Sequence, residues 1–433
     1  MSMPAANFRG VAVRSGSATD AWRTAARPVA EAVVTGLGIA APNGLGRARW
    51  WQSSLGAASG IAPVRRFDPA GYPARLAGEV PDFDAAERIP SRLLPQTDHM
   101  TRLALAAAEE ALADSGVDPA ALPDYAAGVV TASSAGGFEF GQRELEALWR
   151  DGGSHVSAYQ SFAWFYAVNT GQISIRHGLR GPSGVVVSEQ AGGIDAVAQA
   201  HRQLRSGVTL LVSGGVDGSL CPWGWTGQLA TRRITTRSDP LRAYLPFDRD
   251  ATGYVPGEGG ALLILEDIDA ARARGATPYG TISGYAATFD PRAGTGGEPG
   301  LRRAAGNALA DAGLSAPDID VVFADAAGLP ELDRAEAEAL RALFGPYGVP
   351  VTAPKTMTGR LYAGGGSLDL AWAFMALREG VIPPTVHTVD VPAHYQLDLV
   401  ISQPRRAPLR TALVLARGYG GFNAAMVLRR AED

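Results

Sequence analysis

The sequence predicts an α/β protein built as two duplicated halves, with parallel strands packed between layers of helices. Two observations carry this. Ala111-Leu112-Ala113-Asp114-Ser115-Gly116-Val117 returns 197 residues later as Ala308-Leu309-Ala310-Asp311-Ala312-Gly313-Leu314. Each copy ends a helix and leads through a short loop into a strand, Gly128-Val129-Val130-Thr131 and Asp320-Val321-Val322-Phe323. In addition, the strongest strand candidates are apolar on both faces, as strands buried between helix layers must be.

In order, Val33-Val34-Thr35 reads as the first strand, closed by a turn at Pro42-Asn43-Gly44. Thr101 to Ala113 reads as a helix, stopped near Gly116 and Pro119. Further strands are expected at Gly184–Val187, Leu210–Ser213, Ala261–Leu265 and Thr411–Leu415. The polar stretch Asp267 to Arg274, followed by Gly275 and Pro278, separates the halves, giving 31–270 and 271–433. Residues 1–30, rich in Ala, Ser, Thr and Arg without clear periodicity, read as a flexible extension.

The 433 residues are 46% hydrophobic and 19% charged, enough for a sizeable core. Nothing in a net charge of −4 suggests a nucleic-acid surface or a polybasic membrane patch. No apolar run is long enough for a membrane span, and the Arg-bearing first 30 residues lack the apolar core of a secretory signal. A cytoplasmic protein is expected. Cys221 is the sole cysteine, so neither an intramolecular disulfide nor a multi-Cys metal site is available. Among 39 basic residues only Lys355 is lysine, which marks that position. Gly36-Leu37-Gly38 lacks the third glycine of a dinucleotide loop, and Gly418–Asn423 lacks the lysine of a phosphate cradle.

A series of short motifs then points to a family. In order they are Val34-Thr35-Gly36-Leu37-Gly38, Arg66-Phe67-Asp68, Gly181-Pro182, Ser213-Gly214-Gly215, Pro246-Phe247-Asp248, Gly257-Glu258-Gly259, Lys355-Thr356-Met357-Thr358-Gly359, and Gly418-Tyr419-Gly420-Gly421-Phe422-Asn423. Together they resemble the β-ketoacyl synthases, which implies a thiolase-like fold with layered αβαβα architecture. Ketosynthases use a Cys nucleophile that carries the acyl chain as a thioester, and two His that stabilise the enolate of a decarboxylating malonyl unit.

This chain keeps none of the three. Gln190 stands where the nucleophile is expected, Asp325 where the first His is expected and Arg360 where the second is. None of the six histidines falls in those motifs, and Cys221 lies about 30 residues past the nucleophile position, a small core residue by preference. The stretch Glu189-Gln190-Ala191-Gly192-Gly193, and Ser161 to Gln172 before it, resemble the chain length factor, or ketosynthase-β, of aromatic type II polyketide synthases.

That resemblance implies a subunit silent in condensation, paired as a heterodimer with a Cys-bearing ketosynthase-α. The pair would work on malonyl units and a polyketide chain carried by an acyl carrier protein. The phosphopantetheine belongs to the carrier, and no metal or soluble cofactor is implied. Gln190 cannot form a thioester, though its amide offers two donors and an acceptor. Two readings stay open: a malonyl-ACP decarboxylase that supplies the acetyl starter through Gln190, or a structural residue beside an Asp325–Arg360 ion pair. Lys355 and Glu258 read as members of a buried network.

The resemblance also places the wall of the elongation tunnel on a helix after Ser133–Gly137, with Phe138, Gly141 and Leu145 as gates and Trp223 as a further lining residue. Phe138, Gly141, Leu145 and Leu148 share one helical face. An apolar face at this spacing also suits simple core packing. Gly141 is the harder to dismiss, because glycine inside a helix costs about 1 kcal/mol relative to alanine. The resemblance implies that members making shorter chains carry bulkier second and third gates, so Gly141 and Leu145 imply a tunnel for about ten ketide units or more.

Overall fold

The computed structural model describes residues 32–292 and 294–431. The expected extension at 1–30 lies outside them. Ten strands build the architecture. In the first half they are β1 (Ala32–Ala41), β2 (Ala127–Ala132), β3 (Ser183–Val186), β4 (Leu210–Asp217) and β5 (Gly259–Asp267). In the second they are β6 (Gly280–Phe289), β7 (Val321–Phe323), β8 (Pro350–Thr352), β9 (Thr411–Arg417) and β10 (Phe422–Arg430).

The spatial order in the first half is β1-β5-β4-β2-β3, and in the second β6-β10-β9-β7-β8. Both are therefore first-fifth-fourth-second-third. Orientations repeat as well, and they correct the expected parallel arrangement to a mixed one: in each half the fifth strand is antiparallel to both neighbours, and the remaining pairs are parallel. The duplication expected from one pair of helix ends is thus carried by the whole topology. Pairs Val33↔Thr281 and Val34↔Gly280 join the halves, and two short flanking strands complete a twelve-stranded sheet.

Six helices position the site: α1 (His99–Ser115), α2 (Phe138–Asp151), α3 (Gly192–Leu204), α4 (Pro222–Ala230), α5 (Gly300–Asp311) and α6 (Ala363–Glu379). Helix α1 starts where the Asp98 carboxylate accepts the Met100 N–H at 2.9 Å, and stops at Gly116 with φ 69°. The duplicated segments are the ends of α1 and α5.

Strand alternation sorts the core into layers. Leu210, Val212, Leu262 and Ile264 pack outward with α1, whereas Leu211, Leu263 and Leu265 point inward. In the second half Leu413 and Leu415 face α5, and Ala412 and Val414 face inward. The inward faces meet α3 and α6, which form the central layer. Helix α6 is buried on all sides from Ala363 to Leu377, explaining why its sequence is apolar without a polar face. The order helix, sheet, paired helices, sheet, helix is the expected layered thiolase-like fold. The polar stretch after β5 forms a short helix, Ile268–Ala273, capped by Asp267.

Candidate functional site

The site forms where β3, β7 and β9 end and α3 and α6 begin. After β3 the chain turns sharply through Ser188, Glu189 and Gln190, with Glu189 held at φ 51°. For a residue with a Cβ this left-handed backbone is strained, a usual mark of a functional turn. Gln190 is buried, and with its amide turned to the orientation that matches donor to acceptor it has one partner: it donates to the Tyr362 carbonyl at 3.2 Å and accepts the Tyr362 N–H at 3.1 Å. Gly365 makes this reach possible, since a Cβ there would lie 2.2 Å from the Gln190 amide head.

Asp325 and Arg360 come together. The Arg360 guanidinium donates to the Asp325 carboxylate at 2.9 Å and to its carbonyl at 2.8 Å. Arg417, at the end of β9, donates to the other Asp325 oxygen from Nε at 2.9 Å and from its backbone N–H to Oδ1 at 2.7 Å. Its outer nitrogen reaches Glu336 at 2.9 Å, and Glu336 also accepts the N–H groups of Asp325 and Ala326. Two arginines and two carboxylates form one buried, balanced network. Burial opposes ionisation of Asp325, but Arg360 and Arg417 outweigh it and hold the carboxyl well below the usual carboxylate range.

The cavity beside this network is lined by Glu189, Arg233, Tyr254, Asp325, Arg360 and the Arg417–Gly421 turn, among others, and encloses about 60 Å³. That is room for roughly four waters. Glu189 rather than Gln190 faces it, accepting the Tyr419 N–H at 2.8 Å. Burial raises the Glu189 carboxyl above its ordinary value, against the pull of Arg360.

Lys355 and Glu258 are both buried and belong to different clusters. Lys355 Nζ pairs with Asp369 of α6 at 2.6 Å. Glu258 sits in the first half, accepting the Val80 N–H at 3.1 Å and facing His99 at 3.3 Å and Arg66 at 3.8 Å. Cys221 is buried, and burial pushes its thiol up to about 11. Among the described residues no group of His, Cys, Asp or Glu is arranged to hold a metal. Among them, too, no helix is long and apolar enough to cross a membrane.

The gate helix is α2. The loop before it is fixed by Asp217 at the end of β4, which accepts the N–H groups of Ser134 at 2.6 Å and Ala135 at 3.3 Å. Burial raises the Asp217 carboxyl to about 7. Phe138 is half-buried, its ring 4.4 Å from that of Trp223. Gly141 is buried, but the space above it is not empty. A Cβ there would lie 3.3 Å from the Trp223 ring and 3.4 Å from Trp164 Cβ. The glycine thus seats two tryptophans, which corrects the expectation that its missing side chain leaves open tunnel volume at that position.

Leu145 is 37% exposed and Trp223 42% exposed, so neither is simple core. The α2 residues that do pack inward are Phe140, Gly141 and Glu144. Gln142, Leu145, Glu146, Trp149, Arg150 and Trp223 line an open groove of about 630 Å³.

Sequence reasoning did not single out Arg417, Glu336, Glu189, Tyr362 or Asp217. Arg417 stood one residue before a motif already noted, and its partners lie 92 and 81 residues away.

The comparisons with known proteins agree with this geometry. The "Beta-ketoacyl synthase, N-terminal domain" family matches residues 30–271 and the "Beta-ketoacyl synthase, C-terminal domain" family matches 279–389. The actinorhodin polyketide putative beta-ketoacyl synthase 2 of Streptomyces coelicolor is 60% identical, over 92% of this chain and 98% of that one. The tetracenomycin polyketide synthase ketoacyl synthase beta subunit of Streptomyces glaucescens is 59% identical, over 93% and 98%. Among solved structures, the ishigamide ketosynthase/chain length factor superposes with a TM-score of 0.84 at 27% identity, covering 94% of this chain and 100% of that one. The chain belongs to the β-ketoacyl synthase family, among the ketosynthase-β (chain length factor) subunits of type II polyketide synthases.

Proposed function

We propose that this chain is silent in condensation and sets polyketide length as one wall of a tunnel shared with a Cys-bearing ketosynthase-α. The observation that carries the reading is a contrast within one molecule. The position that performs chemistry in a ketosynthase is closed by an ion network, whereas the described residues leave the gate helix and its groove uncovered. An apolar strand edge and clustered exposed aromatics suit a protein partner. Among the described residues strand β3 has a neighbour on one side only, and Trp164, Phe165 and Tyr166 stand exposed beside the gate helix.

The acyl carrier protein would deliver malonyl units and hold the growing chain on its own phosphopantetheine. This chain would need no metal or soluble cofactor, and would act in the cytoplasm. The rival reading, decarboxylation at Gln190, has less support. The amide there is committed to Tyr362, and Arg360 and Arg417 are spent on protein acceptors, leaving few donors for an enolate oxygen.

The gates test the proposal. Gly141→Thr with Leu145→Phe adds bulk at the second and third positions and pushes Trp223 into the groove. Mass spectrometry of the reconstituted heterodimer's product should show a shorter chain than the parent's about ten units or more. An unchanged length would refute the gate assignment and favour a scaffold that merely stabilises its partner.

A further inference from the structure

We infer that Gln190 is a positioning residue that ties the vacated nucleophile position to the tunnel wall through Tyr362 and Ser219. The inference rests on the reading that Trp223 and the α2 gates line the tunnel.

Tyr362 opens α6 with φ 51° and ψ −132°, a conformation that a tyrosine holds only when its surroundings over-determine it. Two contacts do so. The Gln190 amide clasps both the N–H and the carbonyl of Tyr362, and the phenol hydroxyl bonds to Ser219 Oγ. Each end demands its chemistry. The clasp needs a donor and an acceptor on one planar group, which an amide has and a carboxylate, thiol or methyl lacks.

Ser219 continues the path. It packs against Gly224 in the first turn of α4, where a Cβ would lie 2.6 Å from Ser219 Cβ. Trp223 precedes that glycine. Its backbone N–H is held by Gln142 Oε1 at 2.8 Å and its ring lies over Phe138 and Gly141. From Gln190 to the gate the contacts are continuous: amide, strained backbone, phenol, serine, helix turn, indole. The residue that replaced the nucleophile thus has a use that requires no chemistry at its own position.

The test uses the reconstituted heterodimer with carrier protein and malonyl donor. Variants are Gln190→Ala, Tyr362→Phe, Ser219→Ala and the double Gln190→Ala/Tyr362→Phe, beside the Gly141→Thr/Leu145→Phe gate variant. The readout is the length distribution of the product, normalised to total product. Tyr362→Phe and Ser219→Ala should each raise the off-length fraction about twofold or more, the low end of coupling carried through packed networks. The double variant should do no more than Gln190→Ala alone, because both act on one path.

Tyr362→Phe and Ser219→Ala remove only a hydroxyl each, so they decide the matter even if Gln190→Ala fails to fold. If both leave the distribution at the parent's while the gate variant shifts it, the coupling is refuted and the gate reading survives. If the gate variant also has no effect, both fall. Loss of CO₂ release from malonyl carrier protein in Gln190→Ala, with product lengths unchanged, would overturn the positioning role in favour of decarboxylation.

Discussion

Asp325→Ala should destabilise the chain by about 3–5 kcal/mol, the usual cost of breaking a buried ion pair from one side. Asp325 is nearly inaccessible and serves two arginines, Arg360 buried and Arg417 with its side chain 10% exposed. Its removal leaves Arg360 with carbonyl acceptors only and Arg417 with Glu336 as its one carboxylate. The sign of the pH dependence follows. The folded-state carboxyl titrates below its unfolded value, so its stabilisation is present above about pH 4 and is lost as pH falls through the folded value. Thermal melts of parent and variant should differ most near neutrality and converge in acid. A difference below about 1 kcal/mol at neutral pH would mean that the network is dispensable.

Phe165→Asp should weaken the heterodimer roughly 30-fold or more, while the isolated chain keeps its melting temperature. Phe165 is exposed between Trp164 and Tyr166, and its ring lies 4.2 Å from that of Tyr166. Clustered aromatics of this kind carry interface energy, about 2–4 kcal/mol for a central one, and about 1.4 kcal/mol corresponds to tenfold in affinity. A carboxylate placed there is desolvated on association without a partner. Sedimentation of the mixed subunits measures the effect. Unchanged association would move the interface elsewhere, to the β3 edge or to the exposed Trp149, which is 83% accessible.

Much of the fold was legible because the duplicated helix ends sit at equivalent places in both halves and because buried parallel strands concentrate Val, Leu and Ile. Strands β6 and β10 were not anticipated. Gly280-Thr281-Ile282-Ser283-Gly284 has too little apolar content to read as a strand, and β10 follows directly on a glycine-rich turn. They are strands because they pair with each other and with β1 and β9, a tertiary effect.

The site divides in the same way. Gln190, Asp325 and Arg360 were found because motifs around them are intact, so a changed residue stands out against its frame. Arg417 and Glu336 were not, since nothing local marks a residue whose partner lies more than 80 positions away. Gly141 stood out in the sequence as a helical glycine in need of a reason. That reason, the seating of Trp223 and Trp164, is visible only once α2 and α4 are packed together.

The product of a reconstituted mixture tests the central claim most directly. The mixture holds this chain, its ketosynthase-α, carrier protein and malonyl donor, with this chain omitted as the control. A polyketide of about ten units or more, absent from the control, is the result the tunnel-wall account predicts. The same product in equal yield without this chain would contradict it.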